Sequence, residues 1–76
     1  MKNRYAVLAH YPNAELTCET ADLSILFGYL NHNMRNEIPV DVLDTETGEV
    51  LFYWNPDDYY MADDFALLTL LWLMDG

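Results

Sequence analysis

The chain has 76 residues, 53% of them apolar, and sets 13 acidic side chains against three Lys or Arg, for a net charge of −10. That length allows one domain, residues 1–76, near the lower limit for folding on a single core, and the apolar fraction argues against disorder. The charge disfavours direct nucleic-acid binding, which draws its affinity from Lys and Arg, while the lone Cys18 excludes an internal disulfide and, with no signal-like apolar run in "MKNRYAVLAHYP", predicts a cytoplasmic protein.

The segment "RYAVLAHY" alternates Tyr5, Val7, Ala9 and Tyr11 against Ala6, Leu8 and His10, the period of a strand. Pro12-Asn13 is a turn pair, and "AELTCET" returns as a second strand with Leu16 and Cys18 on one face. A helix follows in "TADLSILFGYLNHNMRN", with Thr20 as N-cap and Asp22 in the first turn, where it complements the positive helix end. Leu23, Leu26, Phe27, Leu30 and Met34 share one helical stripe. Gly28 weakens the middle of this helix by about 1 kcal/mol relative to Ala unless close packing requires it. Asn33, Asn36 and Pro39 end it.

"IPVDVLDTETGEVLFYW" predicts a hairpin. Ile38, Val40 and Val42 face one way on its first strand, and Val50, Phe52 and Trp54 on its second. Asp44 is placed to bond the turn backbone, and Gly48 to take a left-handed conformation. The opposite face carries Asp41, Leu43, Leu51 and Tyr53, too apolar to be merely solvated. In "NPDDYYMADDFALLTLLWLMDG", Asn55 as N-cap, Pro56 at the first helical position and Asp57-Asp58 in the first turn predict a helix start; a short turn followed by a separate helix from about Met61 is the alternative. From Phe65 to Met74 the run is apolar on every side except Thr69. Such a helix is expected to be a central core element, or to pack one side on another subunit or a partner. It is too short to span a membrane, which takes about 20 residues. The order ββαββα predicts an α+β domain: a small antiparallel sheet of about four strands in two hairpins, with two helices packed on it.

All of the excess charge lies in residues 36–76, which hold ten acids and no Lys or Arg. Within them, Asp44 to Asp64 gathers seven acids and five aromatic residues. "DTETGE" imitates a calcium loop but has its glycine at the fifth position instead of the sixth. The pairs Asp57-Asp58 and Asp63-Asp64 could meet on one helix face as a weak divalent site, although the spacing is nonspecific. His10, His32 and Cys18 show no zinc spacing. No nucleophile–base frame or phosphate loop is present. The sequence therefore predicts no enzyme, no cofactor and no metal.

A rigid array of carboxylates presents a potential like that of a phosphate backbone, and such an array attracts and orients a basic surface. Tight binding also needs desolvated anchors, for which tyrosine is a favoured residue. The expected partner-binding residues are accordingly Asp41, Asp44, Glu46, Glu49, Tyr53, Asp57, Asp58, Tyr59, Tyr60, Asp63 and Asp64, with Trp54 and Trp72 assigned to the core. On these acids, and on its size and charge, the chain resembles the small acidic inhibitors of phages and mobile elements, of the anti-CRISPR and anti-restriction, nucleic-acid-mimic kind. The resemblance implies a noncatalytic inhibitor in the host cytoplasm whose partner is the basic nucleic-acid-binding surface of an effector complex. The alternative is a self-associating structural or adaptor domain, a homodimer through the C-terminal helix, whose acids only confer solubility.

Overall fold

A computed structural model describes residues 4–75. Strands β1 (Tyr5–Tyr11) and β2 (Ala14–Thr20) form the first hairpin, helix α1 (Leu23–Arg35) crosses back, and β3 (Val40–Asp44) and β4 (Val50–Asn55) form the second. A further strand, β5 (Asp58–Met61), precedes helix α2 (Asp63–Asp75). The class is α+β, with one antiparallel sheet in the order β2-β1-β3-β4-β5. Both helices pack on the same side. The core between the layers holds Val7, Ala9, Val40, Val42, Leu51 and Phe52 from the sheet against Leu26, Phe27, Leu30 and Phe65 from the helices. No described helix is long and apolar enough to cross a membrane.

The sheet has five strands instead of about four because Asn55 to Asp58 closes a hairpin and does not start a helix. The Asn55 side-chain oxygen accepts from the backbone N–H groups of Asp57 and Asp58, both at 2.9 Å. These are the hydrogen bonds a helix cap would make, so the local chemistry suits either structure. The free edge of β4 decides between them: Tyr59 and Tyr60 pair with Trp54 and Tyr53, and aromatic cross-strand pairs favour the sheet. The helix then begins at Asp63, with Asp63 and Asp64 in its first turn.

Two local expectations change at α1. Its N-cap is Asp22, whose carboxylate accepts from Ser24 and Ile25 N–H, and not Thr20. Thr20 is buried two residues earlier, where its hydroxyl oxygen accepts from Asp22 N–H at 3.0 Å. The helix ends with Ile38 N–H on the Asn33 carbonyl and Glu37 N–H on that of Met34. This closure puts Glu37 at φ 58°, in the left-handed region where glycine is the usual occupant. The stripe Leu26, Phe27 and Leu30 is buried as expected, with Leu23 and Met34 packed at its margin. Asn33 is fully buried between them, accepting from the Tyr11 hydroxyl and donating to the Tyr29 carbonyl.

The second hairpin is irregular in a way its alternation does not reveal. Its turn forms as expected: the Asp44 carboxylate accepts from Glu46 N–H at 2.8 Å, and Gly48 sits at φ 74°. The register then shifts between Val42 and Leu43, so that Leu43 faces Val50 while Val42 faces Phe52. Leu51 is the extra residue of a β-bulge, which turns it into the core beside Phe52, at 4% exposure. Val50, expected inside, is exposed beside Leu43.

α2 also departs from the expectation of a wholly buried helix. Phe65 is buried, and Leu68 and Trp72 pack against the core, whereas Leu67, Leu70, Leu71, Leu73 and Met74 are 56–84% exposed. A two-layer domain of this size can cover only one side of each helix.

Two substitutions test this account of α1. Gly28 is exposed, and nothing lies within 4 Å of where a Cβ would stand, so Gly28→Ala should stabilise the protein by about 1 kcal/mol. Glu37→Gly should relieve a left-handed cost of about 1 kcal/mol. Each should raise the thermal midpoint by about 4–8 °C. An unchanged or lowered midpoint for both would contradict the backbone assignment. Phe65→Ala, by contrast, should cost about 3–5 kcal/mol in denaturant unfolding.

Candidate functional site

The sheet face turned away from the helices is open. Register places Glu15, Thr17 and Glu19 of β2 beside His10, Leu8 and Ala6 of β1. Leu8 and Ala6 lie beside Asp41 and Leu43 of β3, which in turn neighbour Tyr53 and Val50 of β4. Tyr60 and Asp58 of β5 complete the face, beside Tyr53 and Asn55. Four carboxylates and two tyrosines from four of the five strands thus share one surface with His10 of β1, and no Lys or Arg lies among the described residues of the face.

Two interactions organise this surface. His10 bridges neighbouring strands, with Nε2 2.7 Å from the Asp41 carboxylate and Nδ1 3.3 Å from that of Glu15. Both nitrogens can donate only when the ring is protonated. The hydrogen bond to Asp41 raises the His10 pKa above its ordinary 6.5, helped by the Asp41 charge and by Glu15, against a smaller loss from burial. Its chemistry is charge neutralisation at the centre of an acidic face. Toward the β5 edge, the Tyr53 and Tyr60 rings stack with centroids 6.0 Å apart. The Tyr53 hydroxyl donates to Asp58 at 3.3 Å, and the Asp58 charge pushes the phenol pKa up.

Of the residues expected at a binding surface, Asp41, Tyr53, Asp58 and Tyr60 come together here. Asp57 lies next to them in the β4–β5 turn, and Glu46 and Glu49 in the β3–β4 turn at the other end of the strands. Asp44 is withdrawn: at 6% exposure it holds its own turn and pairs with Arg4 at 3.3 Å. The Glu46 N–H and the Arg4 charge hold its pKa below the ordinary carboxylate range. Asp63 and Asp64 begin α2, in the helix layer. They do not join Asp57 and Asp58 on one helix face, since Tyr59, Tyr60 and Met61 of β5, with Ala62, separate the pairs by roughly 16 Å of extended chain. Among the described residues no group of three His, Cys, Asp or Glu is placed to hold a metal ion.

Glu15, Glu19 and His10 are members of the face that charge clustering overlooked. Their signal was the alternation of the first hairpin, which puts them on the side opposite Val7 and Ala9.

The helix side carries a second feature. A cleft of about 520 Å³ opens between α1, α2 and the β4–β5 hairpin, lined by Phe27, Met34, Trp54, Tyr59, Met61 and Trp72 among others. Tyr59 points here, 65% exposed, and not toward Tyr60. The two tryptophans assigned to the core are half-buried at its walls. No protein-family model matches the chain, and no curated protein or solved structure matches it either.

His10 gives the face a pH dependence with a definite sign. A folded-state pKa above 6.5 means that its contribution is fully present below 6.5 and lost as pH rises through the raised value. The urea midpoint should therefore fall as pH is taken upward from 6.5, and His10→Gln should remove that slope. A wild-type midpoint that rose over the same range, or a slope kept in His10→Gln, would contradict the bridge to Asp41 and Glu15.

Proposed function

We propose that this protein is a noncatalytic inhibitor that occupies the basic nucleic-acid-binding surface of an effector complex, of the anti-CRISPR or anti-restriction kind, in the host cytoplasm. The observation that carries the reading is the open sheet face, where Glu15 and Glu19 line one edge and Asp41 and Asp58 flank the stacked Tyr53 and Tyr60, with no Lys or Arg among the described residues of the face.

The arrangement suits a cationic partner in three respects. A sheet holds carboxylates at fixed intervals, neighbouring strands lying about 4.8 Å apart, so an array of this kind is organised before it binds. The net charge of −10 gives long-range attraction to a basic groove and raises the encounter rate. Tyr53 and Tyr60 offer rigid rings to guanidinium groups, a favourable contact with arginine. Their hydroxyls remain able to hydrogen-bond, which is why tyrosine serves so often as an anchor in otherwise polar interfaces. Asp57, Glu46 and Glu49 extend the negative potential beyond both ends of the face, while Asp44 serves the scaffold.

The test is competition with target DNA for binding to CRISPR and restriction effectors. The wild type should displace the nucleic acid. A Glu15→Gln/Glu19→Gln/Asp58→Asn variant should bind at least tenfold more weakly, because each lost charge contact lowers both attraction and registry. Tyr60→Ala should weaken the complex chiefly through faster dissociation. Raising the salt to about 1 M, where charges are screened beyond about 3 Å, should abolish association. Affinity that is indifferent both to salt and to the triple substitution would exclude this function.

A further inference from the structure

The apolar residues of α2 form two stripes set back to back. Phe65, Leu68, Thr69 and Trp72 follow the spacing i, i+3, i+4, i+7 and face the core. Leu67, Leu70, Leu71 and Met74 follow the same spacing on the opposite side, and all four are more than half exposed. Leu73, 62% exposed, widens this outer stripe toward the cleft that holds Tyr59 and Met61. Four leucines and a methionine on one turn-matched surface have the pattern of a helix-pairing seam.

We infer that the outer stripe is a homodimer seam, on which α2 of a second copy lies antiparallel about a twofold axis near Leu70 and Leu71. Three observations favour a second copy as the occupant. The ten residues from Phe65 to Met74 contain no charge, so the surface is self-complementary and carries none of the flanking charges that select an unlike helix. The acids also lie off it: Asp63 and Asp64 begin α2 and Asp75 ends it, and Glu15, Glu19, Asp41 and Asp58 lie on the far side of the sheet. Two copies, each of charge −10, can therefore meet here without opposing their sheet-face carboxylates. Antiparallel pairing sets the N-terminal end of each α2, with Asp63 and Asp64, beside the C-terminal end of its partner, so the helix dipoles oppose, whereas parallel pairing would superpose like ends.

The available area is of the right order. Each of the five exposed side chains offers on the order of 100 Å². Together they supply more than half of the roughly 800 Å² per partner of a stable interface. The dimer would turn both open sheet faces outward, as a bivalent anionic ligand. The inference stands apart from the proposed function, since the triple sheet-face variant should still dimerise.

Sedimentation of the full chain across nanomolar to high micromolar concentrations tests it. The wild type should pass from monomer to dimer, and Leu70→Glu should weaken dimerisation by about 30-fold or more. That variant changes a side chain exposed in the single copy, so its far-ultraviolet circular dichroism should stay unchanged. In a Cys18→Ser background, Leu70→Cys should give a disulfide-linked dimer on oxidation. Leu67→Cys should not, because its two copies would lie roughly 10 Å apart along the antiparallel axes. A wild type that stays monomeric overturns the inference and leaves the stripe to another protein or a lipid surface, as does a dimer untouched by Leu70→Glu. Cross-linking through Leu67→Cys as efficient as through Leu70→Cys overturns the antiparallel arrangement.

Discussion

The structure depends on how Phe65 is held. Its ring stacks on Phe52 of β4 with centroids 4.9 Å apart and meets Phe27 of α1 at 5.5 Å. Phe27 in turn stacks on Trp72, two turns further along α2, at 4.9 Å. At 1% exposure, Phe65 is the largest fully buried side chain described. This cluster ties sheet, first helix and last helix together, and aromatic pairs add to their area burial by about 0.5–1.5 kcal/mol each. It also fixes the rotation of α2 about its own axis. With Phe65 and Trp72 inward, Leu67, Leu70, Leu71 and Met74 can only face out.

The bulge at Leu51 supports the same cluster from below. By turning an extra residue inward beside Phe52, it widens the floor on which the first turns of α2 rest, and Leu51 and Leu68 line the same small hollow beside Arg4 and Asp44. The displaced Val50 joins Leu43 on the open face. One irregularity thus adjusts both sides of the sheet, which is the usual consequence of a register shift where alternation is strict.

Charge is handled differently on the two sides. Where acids enter the structure they are tied down: Asp44 to Arg4 and its turn, Asp22 to the α1 N–H groups, Asp41 and Glu15 to His10. On the open face His10 removes part of the repulsion between neighbouring strands without ending the negative character of the surface. The apolar excess collects on α2 and the cleft, away from those acids. A molecule with one charged face and one apolar face is equipped for two unlike contacts, and the two functional inferences divide between them.

The sequence by itself determined the α+β class, the antiparallel sheet, the stripe of α1 and the Asp44–Gly48 turn. These follow from local periodicity and from side chains that bond their own backbone, and they hold whatever the rest of the chain does. It also fixed the total charge and the uniform apolarity of α2. Only the tertiary structure decided that Asn55-Pro56-Asp57-Asp58 closes a hairpin, because the Asn55 hydrogen bonds fit a cap or a turn and the choice falls to the free edge of β4. It alone decided that Leu51 is core and Val50 is not, that Asp41 and Asp58 share a face with Glu15 and Glu19 while Asp63 and Asp64 do not, and which half of α2 is covered. Those outcomes rest on strand order and on the area one small layer can hide, quantities summed over the whole chain and legible in no single stretch of it.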